Sequence, residues 1–407
     1  MSAPQLKRSL NLPLLTLYGL GTILGAGVYV LVGKVAGITG IYAPIAFLVA
    51  AVIAAFTGFA YASLSKRFPR SAGEVVYINQ AFAKPWLGRA IGWLVVVTGV
   101  VSSATLINGF AGYLSVFITL PKLIAVTLTS IAIVAVACWG IVESVSIAAI
   151  VTTIELAGIL IVLALLGDVL LTLPDIGTTL IPPLPKDLGE FTTWQSIMLG
   201  AFLAFYAFIG FEDMVNVAEE VKNPERNLPL GILAALAMAS LLYVLVALVA
   251  VLSLPAESLG ASESPMVSLV ATKSAGAANL IGMISLVAII NGALVQVIMG
   301  SRIIYGMASQ QLAPAALAHI ATKTQTPVKA TVLLGVIIWL FAVWLPLVTL
   351  AKITSFVIII VFSLVNFSLA MIYWRETGSS RIKALIPLFG GALCLFLLAL
   401  QSIDVFS

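Results

Sequence analysis

Two glycine-centred interruptions in otherwise apolar runs are the places in this chain where residue type and spacing could do chemistry. The first reads Leu20-Gly21-Thr22-Ile23-Leu24-Gly25-Ala26-Gly27-Val28 and the second Phe205-Tyr206-Ala207-Phe208-Ile209-Gly210-Phe211-Glu212-Asp213. A bilayer penalises unpaired peptide groups, so a helix opens there only where it lines a cavity or meets a bound group. An opening around Gly21, Gly25 and Gly27 exposes N–H groups at the positive end of the following half-helix. That end is a seat for a carboxylate, and glycine lets a ligand come close to the backbone. An opening at Gly210 frees carbonyls of Tyr206, Ala207 and Ile209 to accept from an ammonium group, with Tyr206, Phe208 and Phe211 as walls or cation–π partners. A zwitterionic α-amino acid is the simplest ligand that matches both seats. The competing readings are a close helix-packing face for Gly21-x-x-x-Gly25 and plain packing for the rings.

Glu155 is the third feature, a lone carboxylate inside Ile150-Val-Thr-Thr-Ile-Glu155-Leu-Ala-Gly-Ile-Leu. A carboxylate at that depth costs several kcal/mol unless it is protonated, paired or ion-bound, so a functional role is the default. Three readings stay open: carrier of a coupling proton, ligand of a metal cation such as sodium, or neutral acid bonded to the opened backbone of the first span. Glu219, Glu220, Lys222, Glu225 and Arg226 read as gate-closing ion pairs or as a solvated helix end, and His319 as a solvated loop residue. Cys138 and Cys394 lie in apolar runs and read as small hydrophobes, with no disulfide, metal or cofactor role.

These residues need elements that hold them in lipid, and the composition supplies them. The 407 residues are 61% hydrophobic and 9% charged, with a mean hydropathy of +1.17. A soluble domain carries about 25% charge, so this is a polytopic all-α integral membrane chain. Its net charge of +4 gives no reason to expect a nucleic-acid partner; its neighbour is membrane lipid. Apolar runs fall near 12–36, 42–65, 87–118, 122–140, 145–171, 194–221, 228–253, 277–308, 327–346, 350–374 and 382–403, about eleven spans.

With the N-terminus inside, fifteen basic residues collect on one face, among them Lys7, Arg67, Arg226, Arg302 and Arg375, and five on the other: Lys34, Lys122, Lys186, Lys273 and Lys352. That bias predicts a cytoplasmic N-terminus and, with eleven spans, a C-terminus outside. No cleavable signal peptide is visible. The polar stretch Asp168 to Glu190 separates spans 1–5 from spans 6–10, and the broken spans are then equivalent in two five-helix halves. The expected organisation is a tail and first repeat over 1–171, an extracytoplasmic loop over 172–192, a second repeat over 193–375, and an eleventh helix over 376–407. Broken spans at matching places in two inverted halves point to a midplane site in a secondary transporter. A channel wants a polar stripe, and an intramembrane enzyme wants convergent acid–base, nucleophilic or metal groups; the spans offer neither.

The segment FYAFIGFEDMVNVAEEVKNPERNLP, Phe205 to Pro229, resembles the sixth-span signature of the amino acid–polyamine–organocation superfamily, in its cationic amino acid transporter-like branch. GTILGAGVYVLVG is similar to that family's first-span motif, Arg67 to Glu74 to the loop after its second span, and Asn291 to Pro314 to its eighth span and following loop. The resemblance implies a five-plus-five inverted-repeat fold, alternating access, and an amino acid or amine as substrate. It would place the carboxylate on the amides of Ala26 and Gly27, beside Gly25, and the ammonium on carbonyls of Ile23, Tyr206, Ala207 and Ile209. Tyr206 falls at an aromatic gate and Glu212 at a position linked to pH response. Many bacterial relatives carry a lysine where this chain has Glu155, a reversal of charge, with Asn291 at the matching depth of span 8. Proton symport is the resulting expectation, with exchange, sodium coupling or uniport as alternatives. Glu74 stands where the family commonly has glycine. Thr98, Ser102, Ser103, Asn108 and Ser355 are candidate polar contributors to side-chain specificity.

Overall fold

A computed structural model describes residues 8, 10–24, 27–70, 73–139, 145–171, 180–183, 188–309, 311, 313–324, 326–376 and 380–406. Among the described residues the fold is helical, and nine helical runs are long and apolar enough to cross a membrane, with two shorter apolar helices, Leu12–Leu24 and Val328–Trp344. One run, Gly27–Arg67, is two crossings joined at Gly40, whose φ of 60° turns the chain back on itself. Span 1 is therefore Leu12–Leu24 with Gly27–Thr39, and span 2 is Ala43–Arg67. Pro85–Leu114, Lys122–Trp139 and Val145–Leu166 are spans 3 to 5. Span 6 begins as Leu188–Ala204, and Pro224–Ser253, Ala275–Ser309, Val328–Trp344, Leu347–Arg375 and Leu385–Phe406 follow as spans 7 to 11. This agrees with the eleven apolar runs, and short helices at Gly73–Phe82, Ala256–Ala261 and Pro265–Ala271 fill the connections.

Proline sets several starts, because a missing N–H costs nothing in a helix's first turn: Pro44, Pro85, Pro224 and Pro265 all sit there. Spans 2 and 7 pack closely, each with buried alanines, and Gly58 of span 2 lies directly against Leu236 of span 7. Close backbone approach of this kind replaces the hydrophobic drive that lipid removes. Outward faces stay apolar, as at Leu128, Ile131, Leu241 and Phe396, each about half exposed or more. At the core, Tyr61, Phe205, Phe211 and Phe362 stack edge to face or tilted, with ring centroids 5.1–5.9 Å apart across spans 2, 6 and 10.

Both breaks are present. Span 1 stops at Leu24 and resumes at Gly27; Gly25 and Ala26 lie outside the described residues. Span 6 changes at Ala204 into a 3-10 turn, Phe205–Phe208, passes an extended Ile209 and Gly210 at φ 126°, and continues as a ten-residue 3-10 helix, Phe211–Glu220. A 3-10 run of that length is uncommon and marks a hinge or a strained segment.

Candidate functional site

The two interruptions lie against each other. A Cβ on Gly27 would overlap the Ala207 backbone, and one on Gly210 would overlap the Thr22 carbonyl, so each glycine marks a backbone-to-backbone contact. Thr22 Oγ1 lies 2.9 Å from both the Gly19 and Gly210 carbonyls. Tyr243, from span 7, puts its hydroxyl 2.7 Å from the Ile23 carbonyl and 2.9 Å from that of Ala207. Its one proton serves one acceptor at a time. Two of the carbonyls expected to hold an ammonium group thus share a hydroxyl, and each carbonyl keeps a further lone pair for a ligand.

Around this clasp, Ile209 N donates to the Tyr206 carbonyl at 3.2 Å. The Tyr206 hydroxyl meets Ser102 Oγ at 3.0 Å and the Ser102 carbonyl at 3.2 Å, which ties the aromatic side of span 6 to span 3. Phe208 is fully buried and packs edge-on to Tyr243 with centroids 5.2 Å apart. Glu212 turns back on the break, and its Oε2 accepts from Gly210 N at 2.8 Å, capping an amide the helix leaves open. Of the other polar candidates, Thr98 donates to Leu94 within its own helix and Asn108 to Ala104 and Ala342. Ser103 Oγ and Ser355 Oγ are buried without a hydrogen-bond partner.

Span 5 holds both halves of span 1. Gly21 packs directly on Thr152, the close contact that a packing glycine makes. One turn further on, the Glu155 backbone carbonyl accepts from Tyr29 Oη at 2.7 Å, beyond the break, and the Tyr29 carbonyl accepts in turn from Tyr113. Glu155 is fully buried. Asn291 lines a narrow cavity with Tyr18, Gly21, Thr22, Thr152 and Asp213, which brings spans 1, 5, 6 and 8 to one place.

A second group of acids lies toward the end of the bundle that carries Arg67 and Arg375, hereafter the basic end. Glu74, on the short helix Gly73–Phe82, is 4% exposed and accepts from Tyr61 Oη at 3.2 Å. Burial pushes its carboxyl up to about 7 against the opposing pull of its hydrogen bonds. At the same end Leu10 and Val221 pair like strand residues: Leu10 N donates to the Glu220 carbonyl at 3.1 Å and Lys222 N to the Leu10 carbonyl at 2.8 Å. Arg67 forms an ion pair with Glu376 there. The acidic and basic residues after span 6 therefore include a backbone link to the N-terminal segment. His319 is exposed in a loop, Cys394 is buried and Cys138 partly so, and both cysteines are free.

Sequence reasoning missed Tyr243 and Thr22 as the residues that join the breaks. A single tyrosine in the apolar run Leu241-Leu242-Tyr243-Val244 was the available signal, but nothing local gives its direction. Asp213 was legible only as the acidic flank of Gly210.

Comparison with known proteins places these features in context. The model of a family described as "Amino acid permease" matches residues 10–405. The chain is 29% identical over 391 residues to "Cationic amino acid transporter 3, mitochondrial" of Arabidopsis thaliana, covering 90% of this chain and 63% of that protein. It is 31% identical over 373 residues to "Cationic amino acid transporter 4, vacuolar" of the same plant, covering 86% and 61%. With "Branched-chain amino acid permease BcaP" of Bacillus subtilis (strain 168) it shares 28% over 424 residues, covering 97% and 88%. The chain thus spans about three fifths of the length of the plant relatives.

Proposed function

Because the chain belongs to the amino acid permease family, we propose that it is a secondary active transporter that moves amino acids or related amines across a membrane by alternating access. The observation that carries this reading is the junction of the two broken spans at Gly27–Ala207 and Tyr243, where backbone groups stand unpaired by any helix in the middle of the bundle. In this reading the substrate carboxylate takes the amides of Ala26 and Gly27, beside Gly25, and the ammonium takes carbonyls at Ile23, Tyr206, Ala207 and Ile209. Phe208 and Gly210 shape the seat, and Tyr206 closes it. The named relatives support an amino acid as the substrate class. Spans 1–5 and 6–10 act as inverted halves rocking about this seat, span 11 stands outside them, and the basic end faces the cytoplasm of a prokaryotic cell.

Glu155, buried beside span 1 and tied through its carbonyl to Tyr29, carries the coupling proton with Asn291 as its partner, and Glu212 acts with Tyr206 at the gate. A buried carboxyl that changes charge once per cycle makes the direction of net transport follow the proton gradient. The test is uptake into proteoliposomes loaded at higher internal pH, after a thermal-shift screen of the twenty amino acids has found the ligand that raises the melting temperature. Wild type accumulates substrate, and Glu155→Gln loses at least tenfold of that accumulation while still binding it. Equal stimulation of both proteins by external acid would remove Glu155 from the mechanism, and accumulation only with sodium would replace the proton by that ion.

A further inference from the structure

The cavity beside span 8 holds a carboxylate that this mechanism does not use. Its volume is about 20 Å³, enough for one water molecule and far too small for an amino acid. Neutral hydrogen-bonding groups of Thr22, Thr152, Asn291 and Gln296 line it, together with Tyr18 and Asp213. Asp213 is 8% exposed, and its Oδ2 is buried without a hydrogen-bond partner. Its backbone is fixed, since Asp213 N donates to the Gly210 carbonyl at 3.1 Å and so anchors the residue to the break. Other titratable groups near it are Glu212 on its own element, capped on Gly210 N, Glu74 from the short helix after span 2, and Tyr18 from span 1; Tyr61 and Tyr77 stand beside Glu74. Glu155 lies one turn beyond Thr152 on span 5. The ion pairs Lys34–Glu263, Arg67–Glu376 and Lys273–Asp168 do not involve Asp213, Glu212 or Glu74.

We propose that the cavity holds an ordered water on the Asp213 carboxyl, and that Asp213 is a second proton-carrying group on the path between the pocket and the basic end. A carboxyl that lines a one-water space and keeps one oxygen without a partner has two ways to be satisfied: a donor water when ionised, or its own proton when neutral. The proton moves along that hydrogen bond, hydronium and carboxylate becoming water and carboxylic acid, and the reverse releases it. The break at Gly210 makes the arrangement depend on conformation, because the turn that carries Asp213 N also carries the carbonyl held by Thr22. Separation of spans 1 and 6 opens the cavity to the basic end and lets the proton leave.

This inference rests on the proton-coupled reading for its role in transport, but the protonation itself is testable without transport. Infrared difference spectra of purified protein between acid and alkaline pH report protonated carboxyls. Asp213→Asn removes one carboxyl band that Glu155→Gln leaves in place. In proteoliposomes, with the screened amino acid as labelled probe, Asp213→Asn keeps at least half of exchange at equal pH and loses at least tenfold of proton-driven accumulation. Asp213→Glu, which restores a proton carrier, recovers accumulation and guards against a variant that fails to fold. An unchanged carboxyl spectrum, or full proton-driven accumulation in Asp213→Asn, overturns the proposal. If wild type ignores the gradient, the coupling reading falls, and the infrared result alone decides whether Asp213 binds a proton.

Discussion

At the scale of single residues, the clasp by Tyr243 does most to define the site. One hydroxyl lies between a carbonyl from each broken span, and losing it removes the one donor proton that these two buried acceptors share. Orphaned buried groups cost about 1–3 kcal/mol each, so Tyr243→Phe lowers the ligand-free melting temperature. In that variant the substrate ammonium becomes the main donor to both carbonyls, and saturating ligand therefore raises the melting temperature more than in wild type. A thermal-shift titration of the two proteins with the same amino acid checks this. An equal ligand shift in both would mean that the ammonium does not use these carbonyls. Phe is a close test because the ring contacts with Phe47 and Phe208, at centroid distances of 6.0 and 5.2 Å, survive the change.

At the scale of elements, the second half of span 6 depends on one backbone conformation. Gly210 has φ 126°, a region an L side chain rarely enters, and any Cβ there would also strike the Thr22 carbonyl. Gly210→Ala pays both penalties, of which the backbone term alone is about 1–3 kcal/mol, and the expected outcome is loss of folded protein or of transport. Gly306→Ala on span 8 is the control, since a Cβ there meets open space; it folds and transports like wild type. Size-exclusion profiles of the two variants decide the matter, and a monodisperse, active Gly210→Ala would remove the break from the mechanism. The spans and both interruptions were legible in the sequence because a bilayer forces long apolar runs and makes an interruption costly. The 3-10 course of Phe211–Glu220 was not, because its pattern of apolar residues is compatible with either helix. The meeting of Tyr243 with Ile23 and Ala207 was not legible either, since it depends on packing between residues 36 and 220 positions apart. Gly21 shows the same limit: its close contact with Thr152 comes from another span and leaves no local signal.

At the scale of the whole molecule, alternating access needs contacts at each end that form and part in turn, and both ends of the bundle carry one. At the basic end Leu10 pairs with Val221. At the other, Lys34 on the second half of span 1 donates to the Gly260 carbonyl at 2.8 Å and the Ser262 carbonyl at 3.0 Å, with Glu263 4.0 Å away. Close packing reinforces it, since a Cβ on Gly37 would stand 2.9 Å from Gly260 Cα. The short helix Ala256–Ala261 thus packs over the second half of span 1. Charge-assisted hydrogen bonds are worth about 1.5–3 kcal/mol, discounted here because Lys34 remains partly exposed; a loss near 1.4 kcal/mol is a tenfold shift between two states. Lys34→Met keeps the apolar stem and removes the charge, so it weakens this closure while leaving the link at Leu10 intact. With Cys138 and Cys394 replaced and Ser102→Cys as a reporter beside Tyr206, a membrane-impermeant maleimide added from the Lys34 end labels the Lys34→Met background about tenfold faster. Equal labelling rates would show that Lys34 only anchors a loop, and that the energy holding this end shut comes from the glycine packing alone.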